Sequence, residues 1–207
     1  MSLPFALSEE GLFFIIIAGV VVFFSLFSRI VVWDHQRTRR SALRSKAAES
    51  GSPQALYNLA LELMEGESES DARRAVDLFY QASEGGLVEA TLCLGECYMS
   101  GTGVEPNAAR AVELWQQARQ RGSVQAEVLL AECYQKGQGV PQDEARAVQL
   151  LSHAAAKDEP EACYRLALCF LHGRGVPANR RHALKWLRYA ASYRHDEAST
   201  LLDSLES

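Results

Sequence analysis

The octapeptide CYMSGTGV at residues 97–104 returns as CYQKGQGV at 133–140 and as CFLHGRGV at 169–176. Its paired glycines therefore stand at 101/103, 137/139 and 173/175, a constant spacing of 36 residues. Other positions keep the same step: Ala90, Ala126, Ala162 and Ala198; Ala75, Ala111, Ala147 and Ala183; Cys97, Cys133 and Cys169. A chain with such a period folds as a stack of like units, because no unit of this size buries its own apolar face.

The glycine pairs invite a second reading, as loops that cradle phosphate. Such a loop needs a run of backbone N–H groups aimed at an anion, a preceding buried strand, and usually a third glycine or a Gly-Lys-Ser/Thr ending. None is present: Leu92, Cys93, Cys97 and Met99 ahead of the first pair fall at helical spacing. Three evenly spaced phosphate sites are also far less economical than one repeated hairpin turn. We therefore assign Gly101, Gly103, Gly137, Gly139, Gly173 and Gly175 to turns that reverse through φ > 0.

Aligned on the alanines, four units begin near Ala55, Ala90, Ala126 and Ala162, and a partial one at Ala198. Each reads as helix, glycine turn, second helix and short link. The second unit carries Ala90, Leu94, Gly95, Tyr98, Gly101, Gly103, Val104, Ala111, Trp115, Ala118 and Gly122 in order, and the third and fourth follow it closely. This pattern resembles the Sel-1-like repeat, a relative of the tetratricopeptide repeat, over roughly residues 42–207. The resemblance implies an all-α fold, a right-handed α/α solenoid of helical hairpins. The first unit departs from it: Gly66 is kept, Ser68 replaces the second glycine, and one residue is missing.

In the related superhelices the first helix of each hairpin lines the concave side and binds partners there. Carried over to this chain, the groove would consist of Tyr57, Leu61, Met64, Leu92, Glu96, Met99, Val128, Glu132, Gln135, Tyr164, Leu168 and Leu171. Apolar anchors beside two glutamates suit an extended or helical peptide carrying a Lys or Arg.

Residues 11–28, GLFFIIIAGVVVFFSLFS, contain no charged side chain, and the run continues past Arg29 to Trp33. That length covers the ~30 Å hydrocarbon core of a bilayer, and no small-residue cleavage site ends it. A transmembrane helix over 11–33 is expected, with Arg29, Trp33, Arg37, Arg39 and Arg40 at the membrane interface. The expected organisation is a short tail at 1–10, the span, a basic juxtamembrane helix and half-repeat at 34–53, four repeats over 54–194, and a capping helix at 195–207. Basic residues on the C-terminal flank place the repeats in the cytoplasm. The expected localisation is thus a single-pass membrane protein, of a bacterial inner membrane. The alternative keeps the fold but makes it a periplasmic or lumenal subunit of an envelope-assembly or export complex.

The five cysteines are odd in number, lie on first helices and show no Cys-x-x-Cys, so neither disulfides nor zinc are expected. The five histidines occupy unrelated repeat positions, with no carboxylate or serine at a spacing that implies catalysis. No catalytic residue, cofactor or small-molecule substrate is expected, and the chain reads as a non-enzyme. From Gly51 onward there are 15 Lys/Arg against 22 Asp/Glu, a net charge of −7, which disfavours nucleic acid. The remaining functional feature is a surface for other proteins. The sequence reads as a membrane-anchored scaffold or adaptor that recruits or assembles them.

Overall fold

The computed structural model describes residues 51–66 and 68–206. Nine helices lie among them: α1 (Pro53–Met64), α2 (Glu69–Glu84), α3 (Val88–Ser100), α4 (Ala108–Gln120), α5 (Val124–Lys136), α6 (Glu144–Ala155), α7 (Pro160–His172), α8 (Arg180–Ser192) and α9 (Asp196–Glu206). Odd-numbered helices are the first of each hairpin and even-numbered ones the second. Each packs chiefly on its neighbours in sequence, α1 on α2, α2 on α3 and so on to α9. This is the all-α helical-repeat solenoid, with a core that runs between successive hairpins.

Repeated local chemistry sets the helix ends. The side chains of Asn107, Asp143 and Asn179 accept the backbone N–H of Arg110, Arg146 and His182, which caps α4, α6 and α8 at one repeat position. Ser52 and Ser123 cap α1 and α5 in the same way. First helices α3, α5 and α7 end on Gly101, Gly137 and Gly173 in the left-handed region, φ 80°, 68° and 69°.

The second glycine of each pair has a further reason to lack a side chain. A Cβ on Gly103, Gly139 or Gly175 would meet backbone at the start of the preceding second helix, Ala72, Ala108 or Glu144, at 2.5, 2.3 and 2.2 Å. The turn of one hairpin is thus wedged against the helix start of the hairpin before it, and only glycine permits that approach. In the first hairpin the motif is broken as the sequence suggests: α1 ends on Glu65 in a right-handed conformation, and Ser68 becomes the extended residue before α2.

Alanines carry the closest contacts inside the stack. Ala75, Ala111, Ala147, Ala183, Ala90, Ala126, Ala162 and Ala198 are all fully buried, so any larger side chain there would force the helices apart. The larger core residues are matched across each hairpin. Trp115 lies over Gly95, whereas Leu151 and Leu187 occupy the same repeat position opposite Ala131 and Ala167. The indole Nε1 donates to the carbonyl of Leu92 at 3.2 Å, so the buried tryptophan is satisfied.

At the C-terminal end α9 covers α8. His195 Nδ1 accepts the N–H of Ala198, while Arg180 donates to the Leu205 carbonyl and Arg188 to Glu206. Two arginines of α8 are therefore used to hold the last helix.

The expected span at 11–33, the tail at 1–10, the basic segment up to residue 50, and Arg29, Trp33, Arg37, Arg39 and Arg40 lie outside the described residues. Among the described residues no helix is long and apolar enough to cross a membrane. The longest, α2, has 16 residues and alternates buried Ala75, Val76 and Phe79 with exposed charge. This finding overturns the single-pass membrane localisation expected from the sequence.

Candidate functional site

Successive first helices α1, α3, α5, α7 and α9 meet side by side, and side-chain contacts between them recur at about one repeat length. Cys93 Sγ lies 4.0 Å from the Tyr57 hydroxyl, Gln135 Nε2 donates to Cys169 Sγ at 3.3 Å, and Arg165 Nη1 donates to Glu132 at 2.8 Å. His195 Nε2 meets Glu161 at 2.9 Å. With Nδ1 of His195 accepting from Ala198, Nε2 is the nitrogen that carries the proton to Glu161.

Along this face the residues expected to form the groove separate into two groups. Leu92 and Val128 are buried, 6% exposed each, and pack within the stack. Leu61 is 40% exposed and Glu96 is exposed, while Tyr57, Met64, Met99, Glu132, Gln135, Tyr164, Leu168 and Leu171 are half-buried. Tyr57 and Tyr164 are partly used in packing, against Phe79 and His195 at ring-centre distances of 5.8 and 4.7 Å.

Two clefts open on the face. The first, of about 210 Å3, lies between α3 and α5; Met99, Trp115, Leu129 and Cys133 line it, with Glu96 and Glu132 at its sides. The second, of about 240 Å3, lies between α5 and α7 and includes Gln135, Glu161, Arg165, Leu168, Cys169 and Arg174. Residue by residue they are one repeat apart: Met99 answers to Gln135, Leu129 to Arg165, Glu132 to Leu168, Cys133 to Cys169 and Gln138 to Arg174.

The two carboxylates beside the first cleft are held differently. Glu132 is held by Lys136 and by Arg165, which also pairs with Glu161. Burial raises the Glu132 and Glu161 carboxyls, but hydrogen bonds from Lys136 and Arg165 on the one, and from His195 and Arg165 on the other, outweigh it. Both end below the ordinary value. Glu96 has no ion-pair partner among the described residues, and burial pushes its carboxyl up.

Sequence reasoning missed Arg165, which ties together glutamates on two repeats. It also missed Glu127, a buried carboxylate, 3% exposed, at the junction of α4, α5 and α6. His153 Nδ1 lies 2.6 Å and Arg119 Nε 3.6 Å from its oxygens. One repeat earlier the same position is Thr91, bonded to Ser83 at 2.7 Å; one repeat later it is Cys163, directed at the Ala155 carbonyl. The junction is thus closed by a hydroxyl pair, an ion pair and a thiol in turn. All five cysteines are free. Burial pushes Cys97, Cys133 and Cys163 up to about 11, so these thiols pack rather than react.

A stack of α-hairpins whose first helices leave a side-chain face between them defines a helical-repeat protein. The chain belongs to the Sel1 repeat family, whose repeat profile matches residues 53–87, 89–123, 124–159 and 160–192. Among solved structures it is similar to c5321, a protective antigen present in uropathogenic Escherichia coli strains and displaying an SLR fold. The two are 30% identical with a TM-score of 0.69, over 77% of this chain and 34% of that one. It is also similar to a Sel1 repeat protein from Oxalobacter formigenes, 27% identical with a TM-score of 0.74, over 81% of this chain and 68% of that one. Helicobacter pylori cysteine rich protein B, 23% identical with a TM-score of 0.52 over 66% of this chain and 98% of that one, shares the fold. The chain thus spans about a third of the length of the E. coli antigen. No curated protein matches it. Sel1-repeat proteins generally mediate protein–protein interaction.

Proposed function

We propose that this chain is a non-catalytic scaffold that holds a partner protein along the face of its first helices and so brings that partner into an assembly. The observation that carries this reading is the pair of clefts between successive first helices, where half-buried Met99 in the one and Leu168 in the other stand beside charged groups. Apolar anchors with a polar surround are the usual composition of a protein-binding surface. The partner is a peptide or helical segment, and the net charge of −7 from Gly51 onward disfavours nucleic acid.

Charge reversal is informative at Glu96 but not at Glu132, because Glu132 is already bonded to Lys136 and Arg165 and its reversal would disturb the stack. The test is affinity purification of the full chain beside variants Met99→Glu and Leu168→Glu, with Gln117→Glu on the exposed side of α4 as control. A stoichiometric protein lost with the two face variants and retained with the control supports the scaffold. Capture that is indifferent to the face variants, or lost equally with the control, overturns it.

A further inference from the structure

The two clefts differ at one decisive position. In the α5/α7 cleft, Arg165 of α7 lies across the junction, with Nη1 2.8 Å from Glu132 and Nε on Glu161. One repeat earlier, the position of Glu132 is Glu96 and that of Arg165 is Leu129. The carboxylate is kept and its guanidinium is gone. Glu96 is left without an ion-pair partner among the described residues, at the side of a cleft walled by Met99, Trp115, Leu129 and Cys133. The nearby cations are committed elsewhere: Lys136 pairs with Glu132, and Arg165 is shared between Glu132 and Glu161.

We propose that the cleft between α3 and α5 binds an arginine side chain of the partner protein, with Glu96 as its counter-ion and Met99, Trp115 and Leu129 against its methylene stem. The proposal rests on the reading of this face as a protein-binding surface and adds the chemistry of one anchor. The chain itself supplies the template, since Arg165 already makes the equivalent bond to Glu132 one repeat later. A guanidinium suits the site for general reasons as well. It is more weakly hydrated than an ammonium, its planar fork matches a carboxylate, and its stem packs on apolar surface while the charged end stays at the mouth.

The experiment uses the full chain and a fluorescently labelled pentapeptide with one central arginine between leucines. Two control peptides carry lysine, or citrulline, which keeps the shape of arginine without its charge. Saturable one-to-one binding of the arginine peptide is expected, weakened tenfold or more by citrulline and by Glu96→Gln, as for loss of a charge-assisted hydrogen bond. Leu129→Arg should abolish binding, because it supplies Glu96 with an internal guanidinium. Arg165→Leu should leave the stoichiometry at one, because Lys136 still holds Glu132 and Gln135 stands where the first cleft has Met99.

Absence of binding, equal binding of the citrulline peptide, or indifference to Glu96→Gln overturns the proposal. Tighter binding of the lysine peptide removes the guanidinium from it, and a second equivalent of peptide bound by Arg165→Leu would mean that Glu96 and the apolar wall of the first cleft are not what selects the arginine. Glu96→Gln is an isosteric change at an exposed position, so its result stands even where Leu129→Arg fails to fold. Loss of peptide binding with partner capture still sensitive to Met99→Glu and Leu168→Glu sinks the arginine site and leaves the scaffold. Insensitivity of both sinks the scaffold too.

Discussion

The α3/α5 and α5/α7 junctions share one backbone frame and one repeat register, yet the carboxylate at one repeat position is paired with the chain's own cations in the second and not in the first. Glu132 sits in a network that runs from Lys136 through Arg165 to Glu161 and His195, from α5 across α7 to the residue that precedes α9. Glu96, at the same repeat position, stands beside Met99, Trp115 and Leu129 in a cleft it shares with Glu132, and has no ion-pair partner of its own among the described residues. The alanines and turn glycines that fix the frame are identical in both repeats, so the difference between the two carboxylates lies in the side chains around them, Leu129 against Arg165 above all. A repeat fold separates these two sets of positions: those that set helix spacing cannot vary, and those between first helices can carry stability in one repeat and an open surface in the next.

The largest effect should come from making the second hairpin, α3 and α4, imitate the third. A Cβ on Gly95 would lie 2.3 Å from Trp115 Nε1 and 2.8 Å from Cδ1, inside a packed core with no flexible atom to yield. Gly95→Ala should therefore cost about 1–3 kcal/mol, the usual range for overpacking. Adding Trp115→Leu should recover most of that loss, because Ala131 with Leu151 is the combination the next hairpin already uses. Urea denaturation of both single variants and the double gives the coupling directly. Additive costs would mean that the two hairpins differ in backbone and not only in side chains.

A smaller effect separates the two glutamates. Glu132→Gln should destabilise the chain by about 1–2 kcal/mol at neutral pH, between the values for exposed and for buried ion pairs, since both Glu132 and Arg165 are 29% exposed. Glu96→Gln should change stability by no more than about 0.5 kcal/mol, because it removes an exposed carboxylate with no cation to lose. Denaturation midpoints at pH 7 decide the matter. Equal losses for the two variants would erase the distinction between a paired and an unpaired carboxylate.

The frame was legible in the sequence because its requirements are local and repeated. A 36-residue step in Ala, Cys and Gly-x-Gly fixes helix, turn and helix, and the polar caps Asn107, Asp143 and Asn179 mark where the second helices begin. The candidate site was legible only in part. Assigning whole columns of the first helix to the groove could not tell Leu92 and Val128, which pack inward, from Met99 and Leu168, which stay half-exposed. The histidines looked partnerless because the partners are distant in sequence: Glu127 is 26 residues from His153, and Glu161 is 34 from His195. Superposing the repeats would have offered one signal, the change from Leu129 to Arg165 at one repeat position while Glu96 and Glu132 keep a carboxylate at another. The buried Glu127 had none, since Thr91 and Cys163 at the same position suggest only a small residue.

The smallest expected effect, and the most specific to the two environments, is in pH dependence. The folded-state pKa of Glu132 lies below the ordinary 4.5, so the unfolded chain binds the proton more readily. Its contribution to stability is present in full above the ordinary value and is lost as pH falls through the folded one. Glu96 is raised above 4.5, so the folded chain is the better proton acceptor. Its favourable contribution is full below the ordinary value and disappears as pH rises through the folded one. The stability difference between wild type and Glu132→Gln should therefore grow with pH in a window just below 4.5, and that between wild type and Glu96→Gln should shrink with pH in a window just above it. Solvent screening at these partly exposed groups limits the second change to a few tenths of a kcal/mol. Denaturation midpoints measured from pH 3 to pH 7 give both difference curves. Slopes of the same sign would mean that Glu96 is held by a cation after all, and that the two carboxylates are electrostatically alike.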